Sequence, residues 1–158
     1  MNQKSLSNWI KGIILSMAVV GAITYFKILP LIVLEVLSRL QLMDYYFVWI
    51  IIISLTAIPC FATLIVGWMV ANNIGKDKSF SKENAVLIKI VMILALIDSI
   101  FFFVANLIMY INKCSSPMIF TVSLILVFAG ISIAIIAACL SHLILNAFEL
   151  KEQTDLTI

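Results

Sequence analysis

The chain has 158 residues, 64% of them hydrophobic and only 11% charged, with a formal net charge of +2. Its mean hydropathy is +1.20; a soluble globular domain carries about a quarter charged residues, so a soluble enzyme or binding domain is excluded and an integral membrane protein is indicated. The Lys and Arg residues collect on no single face, which excludes a direct nucleic-acid surface.

The expected fold class is all-α: an integral membrane four-helix bundle forming one domain over 1–158, with a short interfacial helix between the first and second spans. A helix needs about 20 apolar residues to cross about 30 Å of hydrocarbon, and four segments qualify. The first runs over about 9–29 and ends at Pro30, with Trp9 and Tyr25 near its ends as interfacial aromatics. Lys4 and Lys11 ahead of an apolar run resemble a secretory signal, but the run continues through Leu29, longer than a signal core, so an uncleaved span is expected. Residues 30–44 read as a short helix at the interface or capping the bundle, with Glu35 and Arg39 as an i,i+4 pair.

The second span, about 45–70, carries Pro59 in its interior, where the missing N–H predicts a kink. The third and fourth cover about 86–111 and 118–145, and residues 146–158 form a tail that leaves the membrane as a helix. Lys4, Lys11, Lys76, Lys78, Lys82, Lys89 and Lys151 lie on one side; Lys27, Arg39 and Lys113 lie on the other. Seven against three places both termini and the central loop in the cytoplasm.

Between the second and third spans, residues 75–84 are the one long polar interruption. Ser81 is expected to cap the third helix, with Glu83 and Asn84 in its first turn and Phe80 exposed just before the cap. As a bland alternative, this is only the polar start of a membrane helix. An aromatic among Lys76, Lys78 and Lys82 is also what a loop that docks a peptide or a headgroup looks like. Glu149, Glu152 and Asp155 of the tail are available to pair with those lysines, and Leu156 and Ile158 are unusual in a merely solvated tail. The docking set read from the sequence is therefore Lys76, Lys78, Phe80, Ser81, Lys82, Glu83, Asn84, Leu156 and Ile158.

Asp98 lies near the middle of the third span, where a carboxylate costs about 2.5 to 3.5 kcal/mol to insert. Seventeen Leu, Ile, Val and Phe residues in 86–111 outweigh that cost. Its functional reading is a proton or cation path; its structural reading is a protonated or hydrogen-bonded tie between helices, which is favoured because only Ser99 and Asn106 accompany it. The fourth span has Gly130, Ala134 and Ala138, then Ala137 and Ser141, a small-residue stripe that packs helices either within the bundle or between copies in a homo-oligomer. His142 is a lone histidine without metal or nucleophile partners, and Cys60, Cys114 and Cys139 show neither zinc-site spacing nor a disulfide placement. No nucleophile–base pair, metal cluster or phosphate loop is visible, so no catalytic or metal residue, no cofactor and no enzymatic activity are expected.

Gly75, then Phe80-Ser81-Lys82-Glu83-Asn84, and a terminal Asp155-Leu156-Thr157-Ile158 in a four-span chain of this length resemble the domain-of-unknown-function 2975 family, the YoaS-like small bacterial membrane proteins. The resemblance covers the whole chain; Phe80, Ser81, Glu83, Asn84 and Lys89 match the central motif, while Ser79 stands where the family often has proline. That family has no established enzymatic activity. Its members are often encoded beside a small Cro/CI-type helix-turn-helix regulator, and the resemblance therefore implies a membrane protein that binds or restrains a DNA-binding regulator. The alternative from another class is a small transporter or ion-conducting oligomer using Asp98; beyond such partners only the lipid bilayer is expected.

Overall fold

The computed structural model describes residues 3–155. Among them the chain is helical and turn throughout, in the order α1 (Gln3–Ile23), a π-helical turn (Thr24–Ile28), α2 (Leu29–Arg39), a 3-10 turn (Met43–Tyr45), α3 (Tyr46–Gly75), α4 (Lys82–Ile111) and α5 (Pro117–Asp155). Four helical stretches are long and apolar enough to cross a membrane: Gln3–Arg39, Met43–Gly75, Lys82–Ile111 and Pro117–Thr154. The all-α fold with four long apolar helices is as the composition requires.

One boundary differs from the sequence expectation. Pro30 does not end the first helix. A proline lacks an N–H and its ring crowds the carbonyl four residues earlier; here the preceding turn is widened, the Leu29 N–H bonding to the Thr24 carbonyl five residues back. The widened turn accommodates the ring, and the short helix expected after it, α2, is joined to α1 without a break. The fourth helix continues past Leu145 into the tail, as expected. At about 1.5 Å per residue its 39 residues extend about 58 Å, well beyond the hydrocarbon, because no Gly or Pro follows to stop it.

The helices pack serially. α1 lies on α3, α3 on α4 and α4 on α5, and no Cα of α5 comes within 8 Å of α1 or α3 among the described residues. The bundle is therefore open, with large apolar side chains such as Ile58, Ile65, Phe128 and Ile136 exposed to the lipid that surrounds such helices. The α4–α5 seam is the closest. Ser123, Val127, Ala134, Ala137 and Ile144 are buried along it, and a side chain added at Gly130 would run into the Ser99 hydroxyl. Within the chain, Gly130, Ala134 and Ala137 of the small-residue stripe thus pack this seam.

Three of the turns are built alike. Gln41, Asp77 and Lys113 have φ of 57°, 59° and 59°, and the next N–H in each case reaches back to the helix: Leu42 to the Leu37 carbonyl, Lys78 to Asn73, Cys114 to Met109. This is the Schellman ending, usually made with glycine because a Cβ disfavours positive φ. None of the three is glycine, so the sequence carries no signal for them. At the end remote from the central loop, Leu37, Trp49, Ile52, Met109 and Cys114 form the main apolar core, and the Trp49 indole donates to the Cys114 carbonyl at 3.4 Å.

Candidate functional site

The polar turn between α3 and α4 is built from two asparagines. Asn73, in the last turn of α3, donates from Nδ2 to Oδ1 of Asn84 at 2.9 Å, and its carbonyl receives the Lys78 N–H. Asn84 Nδ2 donates to the carbonyls of Lys78 and Ser79, both at 3.1 Å. Ser81 caps α4 as expected, its hydroxyl accepting the Asn84 N–H at 3.2 Å. A single side chain thereby satisfies carbonyls that the turn leaves without helical partners, which is how a polar group becomes tolerable when buried.

The N-terminus and α5 complete the frame. Ser7 donates to the Ala71 carbonyl at 2.6 Å and Ser79 to Gln3 Oε1 at 2.9 Å. A Cβ on Gly75 would stand 2.9 Å from the Ser7 hydroxyl, so the motif's glycine serves the close approach of α1 rather than a positive φ. From the other side Ser141 of α5 donates to the Ala85 carbonyl at 2.7 Å. Lys11 Nζ lies 5.5 Å from the centroid of the Trp68 ring, a cation–π contact between α1 and α3.

This geometry divides the docking residues read from the sequence. Asn84 is 1% exposed and engaged within the protein, and Ser81 is half-buried in its cap. Lys76, Lys78, Lys82 and Glu83 are exposed, and Phe80 is 62% exposed. Leu156 and Ile158 lie outside the described residues. The expected pairing of Glu149 and Glu152 with the loop lysines does not form: among the described residues the one ion pair is Glu35–Arg39, at 2.7 Å. The reason is the path of α5, which follows α4 alone and stays helical instead of folding back over the loop. His142 is exposed, with Nε2 3.4 Å from Asn146 Nδ2.

The polar residues at membrane depth separate into two groups. Asn106, 2% exposed, belongs to the α4–α5 seam; its Oδ1 accepts from Ser123 at 2.6 Å and its Nδ2 donates to the Phe102 carbonyl. Ser99, seven residues earlier and so on the same face, lies against Gly130. Asp98 turns instead toward α3. The Cys60 thiol donates to its Oδ2 at 3.9 Å, and the Tyr25 hydroxyl donates to Cys60 Sγ at 3.4 Å while standing 3.5 Å from Thr56 Oγ1. Sequence reasoning assigns Ser99 and Asn106 to Asp98 and misses Tyr25 and Cys60, which read as an interfacial aromatic and a small hydrophobe. The available signal is that both stand beside helix irregularities, the π-turn and Pro59.

These features define a class: a four-span membrane protein with a rigid polar turn at one end and a polar cluster at membrane depth. Residues 23–158 match the family described as a protein of unknown function (DUF2975), and the chain belongs to that family. It is 30% identical over 110 residues to the uncharacterized membrane protein YoaS of Bacillus subtilis (strain 168), an alignment covering 68% of this chain and 69% of that protein. No solved structure matches.

Proposed function

We propose that this chain is a regulatory protein of a bacterial inner membrane that docks and restrains a small Cro/CI-type helix-turn-helix DNA-binding protein, without catalysing a reaction. The carrying observation is the large exposed ring of Phe80, presented on a turn otherwise held by Asn73, Asn84, Ser7 and Gln3. Presenting an anchor on a fixed frame lowers the ordering cost of association. Lys76, Lys78 and Lys82 surround the ring, with Glu83 beside it. A DNA-binding protein keeps its basic face for phosphate, so the loop lysines suit its opposite, acidic or apolar face, and Leu156 and Ile158 of the tail would add to the contact. Both termini and the loop face the cytoplasm in this reading, supported by the seven-to-three distribution of Lys and Arg.

Co-purification in detergent with the regulator encoded beside it tests the proposal. Phe80→Ala should weaken the complex at least about tenfold, the cost of truncating an interface anchor, and leave the melting temperature unchanged. No complex, together with an unchanged transcript profile on deletion, would remove the support. For topology, an alkaline phosphatase fusion should be active after Lys113 and inactive after Thr154.

A further inference from the structure

We propose that Tyr25, Thr56, Cys60 and Asp98 form an intramembrane site for one monovalent cation, a proton or an alkali ion, held on Oδ1 of Asp98. The site is independent of the loop and of any regulator. Its first support is the direction of the hydrogen bonds. Tyr25 donates to Cys60 and Cys60 donates to Asp98 Oδ2, so the relay ends on an acceptor, as suits a carboxylate. Oδ1 is buried and has no hydrogen-bond partner. A buried carboxylate oxygen without a donor is costly at membrane depth, and a bound cation removes that cost.

The surroundings supply one negative charge and little else that ionises. Facing Asp98 are Tyr25 from the π-turn and Cys60 from α3; α5 brings Gly130 against the adjacent Ser99. Lys89, the nearest lysine on α4, is nine residues toward the central loop. Among the described residues no three His, Cys, Asp or Glu side chains converge, so one carboxylate matches a monovalent ion better than a divalent one, which takes several oxygen ligands. Two neutral oxygens lie along the same relay: the Tyr25 hydroxyl, 3.4 Å from Cys60 Sγ, and the Thr56 hydroxyl, 3.5 Å from that of Tyr25.

The site also joins helices that do not otherwise meet. The π-turn that follows α1 has no Cα within 8 Å of α4, and the Tyr25–Cys60–Asp98 relay links the two through α3. Occupancy would therefore set how firmly α1 is held at mid-membrane.

The full chain in nanodiscs provides the test, by infrared spectroscopy and by thermal melting in NaCl, KCl or choline chloride at equal ionic strength. If the cation is a proton, a carboxylic acid C=O band is expected at neutral pH, lost in Asp98→Asn and displaced in Cys60→Ser and Tyr25→Phe. If it is an alkali ion, NaCl or KCl should raise the melting temperature by several degrees over choline chloride, and Asp98→Asn should abolish the difference. The Cys60 and Tyr25 variants keep the carboxyl, so they report even where Asp98→Asn does not fold. A fully ionised carboxyl together with melting indifferent to the cation would overturn the proposal, as would a stable dimer cross-linked through Cys60 whose melting is equally indifferent.

Discussion

The two ends of the bundle are held together by different forces. At the end remote from the loop, Leu37, Trp49, Ile52 and Met109 make an apolar core with one long indole bond. At the loop end, Asn73, Asn84, Ser7 and Ser141 hold the chain by buried hydrogen bonds, most of them to backbone carbonyls. Each force acts where it has a purchase. Apolar burial holds the end where α2 and the turns bring large apolar side chains together; at the loop end the polar turn leaves backbone carbonyls without helical partners, and side-chain amides and hydroxyls satisfy them.

Substitutions at each end separate the two. Leu37→Ala, at a side chain 1% exposed, should cost most, about 3 kcal/mol, the loss from an unrelaxed core cavity. Denaturant unfolding in micelles measures it, and a value near zero would place that core in lipid rather than beside water. Asn84→Ala removes three side-chain bonds at the loop end. About 2 kcal/mol is expected from stranding their buried partners, with protease cleavage appearing after Lys76 or Lys78.

Gly130→Val tests fit at the middle of the α4–α5 seam. Ser99 cannot withdraw far while its hydroxyl is bonded to the Ala95 carbonyl, so overpacking of about 1.5 kcal/mol should appear as a lowered melting temperature. The smallest effect has the opposite sign. Gln41→Gly relieves a side chain held at φ 57° and should stabilise by about 0.5 kcal/mol, the strain relieved less the entropy that glycine adds to the unfolded chain.

Part of the site is legible in the amino-acid order alone. Ser81 is readable as a cap because the rule is local: a hydroxyl, then polar residues in the first helical turn, ahead of an apolar run. Phe80 is readable as exposed because it precedes that cap. Asn84 is not readable as the keystone of the turn, since its partners include Asn73 on the preceding helix and the Lys78 and Ser79 carbonyls. The Tyr25–Cys60–Asp98 relay is still less accessible, as its three members stand on separate helical segments and only Asp98 is unusual in its own window.

Class, four spans and family are all written into the linear chain, because transfer from water to hydrocarbon is nearly additive over a window of residues and a short motif is contiguous. Folding in three dimensions settles the rest: Gly130 packs against Ser99 of α4, Pro30 lies within a continuous helical path, Gly75 admits Ser7, and Asp98 faces α3 rather than α5. Lipid is as apolar as the side chains it meets, so composition places a helix in the membrane without choosing its neighbour. That choice rests on matched shapes and hydrogen bonds between residues far apart in the chain.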